Sequence, residues 1–353
     1  MNAIRIARFS PWLLLLALPC CRVEKKEVVT PSFSLAWSEY PSWSTFGVAD
    51  ELGLVDADAG KQGEIEKRWD VDIVLRLLDY GSCLQGYASG SVDAVCITNT
   101  DVLNPCLGRK GVAIVPTSTS KGADACIVVG IGSPQELVGK KVYGLEKSVS
   151  EYCFVRNLEI AGIDPTKVTF SNREPDAAAL AMQQGDADCK AIMVWNPFVL
   201  STLEVRKDAK VLFDSTRIPG EIVDMLVVAD ASLAKPGGDR FACALADVFY
   251  TISRRIDDPA TRNETLVALG AKFSSLGLES MKKVVEQTDF YETPALGIEL
   301  FRSPGLPKVM DLVMDFSIKH DILESPVTIG YGTTRDTALT FDASYMERVA
   351  EKH

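Results

Sequence analysis

The stretch Ser34-Leu35-Ala36-Trp37-Ser38-Glu39-Tyr40-Pro41-Ser42-Trp43 carries the strongest structural signal in the chain. Its first residues suit a β-strand, which Pro41 cannot continue. Trp37, Tyr40 and Trp43 are too large and too closely spaced for an ordinary solvent-exposed turn. The stretch therefore predicts a strand that ends in the first wall of a ligand cleft. The alternative is that these rings only cover the hydrophobic core.

The composition is that of a globular chain with an acidic balance. The 353 residues are 47% hydrophobic and 24% charged, which allows two cores of ordinary domain size and excludes a disordered or fibrous chain. The formal net charge is -11, and no dense run of lysine or arginine occurs. Nucleic acid and anionic membrane surfaces are therefore not expected partners, and a neutral or cationic partner fits better.

The first residues are typical of an export signal. Two arginines precede an apolar run from Pro11 to Leu18 that is shorter than the ~20 residues of a membrane span. A cysteine after such a run resembles a lipoprotein cleavage site, although a proline or a cysteine replaces the small residue usual before it. We expect a signal peptide over 1–21, a polar tether over 22–31 and a periplasmic protein. A lipid anchor on Cys20 or Cys21 is left open.

Cysteine and histidine usage argues against metal or nucleophile chemistry. Without any CxxC pair, and with Cys96 and Cys126 in apolar strand-like runs, most cysteines are expected to be small core residues. One or two disulfides remain open in an exported protein. The histidines are His320 and His353. Histidine-based zinc sites and catalytic triads are therefore not expected, and no cofactor is expected either. The cysteines beyond the signal are Cys83, Cys96, Cys106, Cys126, Cys153, Cys189 and Cys243.

Alternating apolar strands and helices predict an α/β chain. A helix from Phe46 to Gly53 separates the opening strand from a second strand expected over Trp69 to Leu75, which makes one parallel crossover unit. Strands are expected after this unit at 92–97, 112–115, 126–129, 141–145, 168–170, 190–195, 211–213 and 225–228, with 218–224 as a loop. The last third is mainly helical by its apolar spacing and is expected to cover the first lobe.

A weak internal repeat suggests two lobes. Gly90 to Asn99 and Gly185 to Asn196 both run from a glycine through a short acidic turn into an apolar strand with a polar end. Two such units offer their strand ends to a common cleft. We expect a first lobe over 32–129, a second lobe over 130–226, and a mainly helical return to the first lobe over 227–353.

Several phrases together resemble one protein family. They are Trp37-Ser38-x-Tyr40-x-x-Trp43, Gly90-x-Val92-Asp93-Ala94 with Thr98-Asn99-x-Asp101, Ser148-Val-Ser150-x-Tyr152, Val194-Trp195-Asn196-Pro197 and Ile218-Pro-Gly-Glu221-Ile-x-Asp224. From about Phe33 onward, the chain is similar to the periplasmic solute-binding proteins of the nitrate, sulfonate and taurine (NitT/TauT-like) class of ABC transporters. Within that class it is most similar to the urea-type binding proteins encoded beside urea carboxylase.

The resemblance implies a type II periplasmic-binding fold, in which two α/β lobes close on a ligand. It also implies a small-molecule solute, an ABC permease in the inner membrane as partner, and a monomer. The motifs are more specific for the family than for the ligand. Capture of a small nitrogen-containing solute of urea, amide or guanidinium type is the expected function, with a sulfonate, nitrate or taurine binder of the same fold as the alternative.

A binding protein needs rings and polar groups that converge in a closing cleft, and no nucleophile or base. Aromatic walls are expected to stack against a planar amide or guanidinium, while hydroxyl, amide and carboxylate groups bind its edges. The ligand-binding candidates are Trp37, Ser38, Tyr40, Trp43, Thr98, Asn99, Asp101, Ser148, Ser150, Tyr152, Trp195, Asn196, Glu221 and Asp224.

Some of these candidates have equally plain structural interpretations. Ser148 and Ser150 suit the N-terminal cap of a helix, and capping is favoured over ligand contact for them. Asn196 before a proline is also a common helix start, and Asp101 suits the first turn of a helix. Glu221 and Asp224, with no arginine in the candidate loops, favour a neutral or cationic ligand; the alternative is that both carboxylates are solvated.

Two other functional classes compete with solute capture. An enzyme of the pyrimidine-synthase-like branch of this fold uses a histidine and a cysteine cluster, and this chain has neither. GxSxG, HExxH and phosphate-loop motifs do not occur either. A sensory module normally needs a fused membrane span or signalling domain, so it ranks below import.

Overall fold

The computed structural model describes residues 30–272 and 276–352. The expected signal peptide, the tether up to residue 29, and Cys20 and Cys21 lie outside these residues. The strands are β1 (Ser32–Trp37), β2 (Asp72–Leu77), β3 (Ala94–Thr98), β4 (Gly111–Ser120), β5 (Asp124–Val129), β6 (Lys141–Gly144), β7 (Thr169–Asn172), β8 (Ala191–Trp195), β9 (Ala209–Asp214), β10 (Val223–Ala229), β11 (Thr288–Phe290), β12 (Ile329–Tyr331) and β13 (Leu339–Phe341).

The helices alternate with these strands in the first two thirds of the chain and dominate its last third, as expected. They are α1 (Thr45–Glu51), α2 (Glu64–Trp69), α3 (Tyr80–Ser89), α4 (Leu103–Gly108), α5 (Val149–Ile160), α6 (Pro175–Gln184), α7 (Phe198–Val205), α8 (Asp230–Leu233), α9 (Gly238–Asp257), α10 (Arg262–Lys272), α11 (Leu278–Gln287), α12 (Pro294–Arg302), α13 (Gly305–Lys319) and α14 (Ser344–Ala350).

The described strands form two sheets. The first has the order β12-β13-β4-β10-β3-β1-β2, with β11 also paired to β4, and the second has the order β7-β6-β8-β5-β9. β1 pairs in parallel with both β2 and β3, as the predicted crossover unit requires. The central strands β3 and β10 are buried along their whole length, because helices cover both faces of the sheet.

The chain crosses between the sheets twice, and the two crossings touch. It leaves the first sheet after β4 and enters the second at β5, then returns between β9 and β10. Gly122 lies in the outgoing turn with a φ of +97°, a conformation that side-chain-bearing residues rarely adopt. Its amide donates to Ser215 Oγ at 2.7 Å, and Ser120 Oγ lies 2.7 Å from the same oxygen. The crossings are therefore tied to each other at the hinge.

Three local expectations differ from the structure. Trp69 ends α2 rather than starting a strand, because its ring packs in the core and its Nε1 donates to Asp247 at 2.8 Å. Residues 223–224, expected in a loop, belong to β10. β5, which the expected bounds placed in the first lobe, pairs with β8 and β9 in the second sheet. Apolar strand patterns do not specify a partner sheet.

The seven cysteines between residues 83 and 243 are buried free thiols. Burial raises the pKa of the Cys83 thiol to about 12 and of the Cys243 thiol to about 11. They pack as small apolar side chains, in agreement with the expectation from their apolar neighbours.

Candidate functional site

A small cavity lies where the ends of strands from both sheets meet. Its volume is about 10 Å³, close to the space needed for one water molecule. The first sheet and its loops contribute Tyr40, Trp43, Tyr80, Thr98 and Asp224, and the second contributes Asp124, Val149 and Trp195. No organic solute fits this volume, so entry requires the two lobes to separate.

Aromatic rings form a continuous wall around the cavity. The ring centroids of Tyr40 and Trp43 are 4.8 Å apart, and Trp43 stacks on Tyr80 at 5.5 Å. Tyr80 meets Trp195 edge-on at 5.6 Å, which joins the two lobes across the cleft. Such a wall suits a flat or cationic group, because the faces of the rings are electron-rich.

Two buried carboxylates complete the cavity wall. Asp124 Oδ2 accepts a hydrogen bond from Ser120 Oγ at 2.6 Å, and Asp224 Oδ2 accepts one from Ser118 Oγ at 2.6 Å. Both side chains are almost fully buried. The first carboxylate belongs to the second sheet and the other to the first sheet, so each sheet contributes one acid to the cavity.

A third buried carboxylate, Asp101, lies just behind the cavity wall. It accepts hydrogen bonds from the Tyr80 hydroxyl at 2.8 Å, from Thr100 at 2.9 Å, and from the Val149 amide at 3.2 Å. The last bond crosses between the lobes and ends at the first turn of α5. Asp101 therefore holds Tyr80 and the α5 N-terminus in place around the cavity.

The three carboxylates have no basic partner among the described residues. Burial raises the pKa of Asp101 to about 6 despite its hydrogen bonds, and burial together with Asp101 raises the pKa of Asp124 to about 7. The pKa of Asp224 is raised well above its usual range, first by burial and then by Asp124. The site is an acidic pocket without a built-in counter-ion.

Several buried polar atoms around the cavity lack a hydrogen-bond partner among the described residues. Tyr40 Oη and Trp43 Nε1 belong to the cavity wall itself, and Ser150 Oγ lies in the first turn of α5. Burial, followed by Asp224 and Asp124, raises the pKa of the Tyr40 hydroxyl, so Tyr40 remains a neutral donor. Unpaired buried donors are costly, and a ligand acceptor would satisfy them.

The structure brings five of the sequence-predicted residues to the cavity: Tyr40, Trp43, Thr98, Trp195 and Asp224. Ser38 lies in an adjoining groove. Trp37 does not line the cavity. It is 3% exposed and packs in the core, with its ring 2.9 Å from the position of a Cβ on Gly47.

The remaining candidates are engaged elsewhere. Glu221 accepts hydrogen bonds from Arg156 Nε at 2.9 Å and from the Tyr152 hydroxyl at 2.7 Å. Its carboxylate is therefore paired with Arg156 and does not line the cavity. The Asn99 side chain donates to the Glu221 carbonyl at 3.0 Å and accepts from the Val223 amide at 2.8 Å. Asn99 thereby fixes the approach to β10.

The two helix-start interpretations also have structural counterparts. Ser148 Oγ accepts from the Ser150 amide at 3.2 Å and caps α5. Asn196 Oδ1 accepts from the Leu200 amide at 3.3 Å, and its Nδ2 donates to Gln287 at 2.8 Å. These side chains organise the loops that carry Val149 and Trp195.

Sequence reasoning missed Tyr80, Asp124 and Val149. Tyr80 begins α3 directly after its N-cap Asp79, whose Oδ1 accepts from the Ser82 amide at 2.7 Å. The capping pattern Asp79-x-x-Ser82 after a strand was a usable signal. Asp124, an acid at the start of an otherwise apolar strand, was another.

The described residues include neither a candidate membrane span nor a candidate metal-binding cluster. No helix within 30–272 and 276–352 is long and apolar enough to span a membrane. Over the same ranges, no group of three or more histidine, cysteine or acidic side chains is placed to hold a metal ion.

Comparison with known proteins finds similarity to solute-binding proteins. Residues 126–240 match the NMT1/THI5-like family. The taurine-binding periplasmic protein of Escherichia coli (strain K12) is 30% identical over 146 residues, which cover 40% of this chain and less than half, 44%, of that protein. The matched segment includes only part of either chain.

Solved structures extend the likeness over most of the fold. The periplasmic aliphatic sulphonate binding protein SsuA of Escherichia coli has a TM-score of 0.65 at 17% identity and covers 83% of this chain and 89% of its own. The periplasmic nitrate-binding protein NrtA of Synechocystis PCC 6803 has a TM-score of 0.57 at 12% identity, with 85% and 90% covered. These likenesses confirm the predicted two-lobed α/β periplasmic-binding fold. All three relatives are named as solute-binding proteins and none as an enzyme.

Proposed function

We propose that this protein is the extracytoplasmic substrate-binding component of an ABC importer and captures a small nitrogen-containing solute that carries a positive charge. The observation that carries the proposal is the aromatic-walled cavity between the lobes, in which Asp124 and Asp224 are buried without a basic partner among the described residues. The named relatives support the transport class, and the cavity supports the charge of the solute.

Electrostatics favours a cation in this cavity. A buried carboxylate is unfavourable unless it is paired, and the raised pKa values of Asp101 and Asp124 express that cost. A guanidinium, amidinium or ammonium group between Asp124 and Asp224 supplies the missing counter-charge. A planar guanidinium also stacks on rings and forms paired hydrogen bonds to a carboxylate.

Neutral urea and simple amides form a weaker version of the same complex. They satisfy the free donors Tyr40 Oη and Trp43 Nε1 with a carbonyl oxygen, and they donate N–H groups to the carboxylates. They leave the carboxylate charges unpaired, so we expect them to bind less tightly than a guanidinium of similar size.

A second candidate is a sulfonate, nitrate or taurine. It is favoured by the free donors of Tyr40, Trp43 and Ser150 and by the names of the relatives. It is disfavoured by the carboxylates, which would face an anionic oxygen at close range. Taurine, a zwitterion, reconciles both features if its ammonium group faces Asp124 and Asp224.

The proposal extends to the partner and the compartment. A binding protein of this class delivers its solute to a permease in the inner membrane, acts as a monomer and works in the periplasm. A lipid anchor on Cys20 or Cys21 remains a prediction from the sequence. The expected lobe bounds are likewise predictions. In the structure the chain crosses between the two sheets at 120–124 and at 214–223.

Isothermal titration calorimetry tests the charge of the solute. We expect methylguanidinium to bind more tightly than urea, acetamide, taurine, methanesulfonate or nitrate. Asp224→Asn should cost about 2–5 kcal/mol of methylguanidinium binding, because a buried charge loses its partner. The matched variant Glu221→Gln should leave that affinity nearly unchanged, since Glu221 is paired with Arg156. Tighter binding of any of the anions or of taurine, or equal effects of both variants, contradicts the proposal.

A further inference from the structure

A larger groove lies next to the binding cavity and shares two of its walls. The groove has a volume of about 580 Å³, opens to solvent, and shares Tyr80 and Trp195 with the cavity. Four acidic residues line it: Glu39 and Asp79 beside the first sheet, and Glu174 and Asp176 beside the second. We call it the acidic groove.

Like charges face each other across this groove. Burial and, after it, Asp176 raise the pKa of Glu39. Burial, Asp79 and Asp176 raise the pKa of Glu174. Glu174 Oε1 and Asp79 Oδ1 lie 3.8 and 3.6 Å from the position of a Cβ on Gly81, so acids from the two lobes meet at the start of α3. Lobe closure therefore brings carboxylates together at a cost in free energy.

In the part of the chain that the structure describes, no basic side chain pairs with these carboxylates. None of the four carboxylates forms an ion pair with a lysine or arginine within residues 30–272 and 276–352. A cation placed between the lobes would turn the repulsion into attraction and would favour the closed form.

Two further features of the groove suit an organic ligand. Ser38 lines it and is 5% exposed, and its Oγ has no hydrogen-bond partner among the described residues. Leu77 and Leu78, also in the lining, are 52% and 38% exposed. A groove with an apolar floor, an unpaired hydroxyl and an acidic rim matches an alkyl chain that ends in a cationic group.

We propose that the solute is an elongated dication: one cationic head lies between Asp124 and Asp224, an alkyl spacer passes Tyr80 and Trp195, and a second cationic group lies in the acidic groove. This inference rests on the proposed function and specifies its substrate class. The two subsites share Tyr80 and Trp195 as walls, and these rings meet edge-on at 5.6 Å, so a single molecule that passes between them reaches both subsites.

Ligands that differ only in the terminal ammonium distinguish the contributions of the two subsites to affinity. Calorimetry on the full mature chain compares alkylguanidiniums with ω-aminoalkylguanidiniums of equal length, over a series of spacer lengths. At the best length, the terminal ammonium should improve affinity roughly tenfold, as one partly buried charge pair does. High salt should reduce this gain more than it reduces binding of the head group, because the groove is open to solvent.

A triple variant assigns the gain to the groove. Glu39→Gln/Glu174→Gln/Asp176→Asn should remove the advantage of the terminal ammonium without weakening alkylguanidinium binding, which should stay the same or tighten because closure no longer brings these carboxylates together. Asp79 is retained because it caps α3. The control Glu299→Gln/Asp311→Asn/Asp315→Asn makes the same change in net charge on exposed helix surfaces and should preserve the advantage.

The outcomes distinguish this inference from the proposed function. If alkylguanidiniums bind but the terminal ammonium does not improve affinity at any spacer length, the inference of a dicationic solute is wrong, and the proposal of a cationic solute is retained. An equal loss for both ligand types in the triple variant, or the same loss in the control, also overturns the groove subsite. If no guanidinium or ammonium compound binds, both proposals fall.

Discussion

At Asp124 a carboxylate is buried between two sheets, where it accepts a hydrogen bond from Ser120 and has no cationic partner among the described residues. Its pKa is about 7 in the folded protein and about 3.9 in an unfolded chain. The folded state therefore binds more protons between these pH values. This group lowers the free energy of unfolding as pH rises from about 4 to about 7, and above that its cost is constant.

We predict that Asp124→Asn stabilises the unliganded protein at pH 8, by an amount on the order of 2–4 kcal/mol, because the uncompensated charge is removed. At pH 4 the side chain is already protonated, and the gain should vanish. Thermal or urea unfolding across this pH range measures the difference between variant and parent.

Asp336→Asn, at an exposed position, is the matched control and should not reproduce the stabilisation of Asp124→Asn at pH 8. The same Asp124→Asn variant should lose methylguanidinium binding. A pH-independent effect on stability, or unchanged binding, would contradict the assignment of Asp124 as an uncompensated buried charge.

At the scale of elements, α5 of the second lobe meets the end of α13, which packs on the first. Lys319 Nζ lies 2.8 Å from Glu159 Oε1, and the rings of Tyr152 and Phe316 meet edge-on at 4.9 Å. The opposite end of α5 donates its Val149 amide to Asp101. The helix therefore connects the cavity to contacts between the two lobes.

We predict that Lys319→Gln weakens solute binding by about two- to fivefold, since an exposed ion pair contributes up to about 1 kcal/mol to closure. The effect should disappear in ~1 M salt, where exposed charges are screened. Lys282→Gln, which breaks the exposed pair with Glu279 inside α11, is the control and should not change affinity. Calorimetry at both salt concentrations measures these affinities. Equal effects of the two variants would exclude a role of the Lys319–Glu159 ion pair in lobe closure.

At the scale of the whole molecule, function depends on the two crossings at the hinge. The cavity of about 10 Å³ holds no organic solute, so we expect capture to alternate between an open and a closed arrangement. The contact between Ser120 and Ser215 joins the two crossings at this hinge.

We predict that saturation with a bound solute reduces the radius of gyration in solution scattering and changes the fluorescence of Trp43 and Trp195. The tightest ligand found by calorimetry is the one to use, with a non-binding amide as control. Identical scattering curves with and without a ligand that binds would exclude lobe closure as the capture step.

The sequence by itself determined the order of strands and helices, the α/β class and most of the aromatic wall. These features depend on local signals, because hydrophobic periodicity and strand-end residues such as Tyr40, Trp43 and Trp195 are visible without knowledge of their partners. It also predicted that Glu221, Asp224 or both would reach the cleft: Asp224 lines the cavity, whereas Glu221 is paired with Arg156.

Only the tertiary structure decided which carboxylates meet. Asp224 lies in register with Thr98 on one side and Ser118 on the other, and Asp124 is opposite Trp195. Glu221 is instead bound by Arg156, a residue on a helix of the other lobe. Strand register and lobe closure join residues that are far apart in sequence, and no local pattern encodes such pairings, because they depend on the packing of the whole chain.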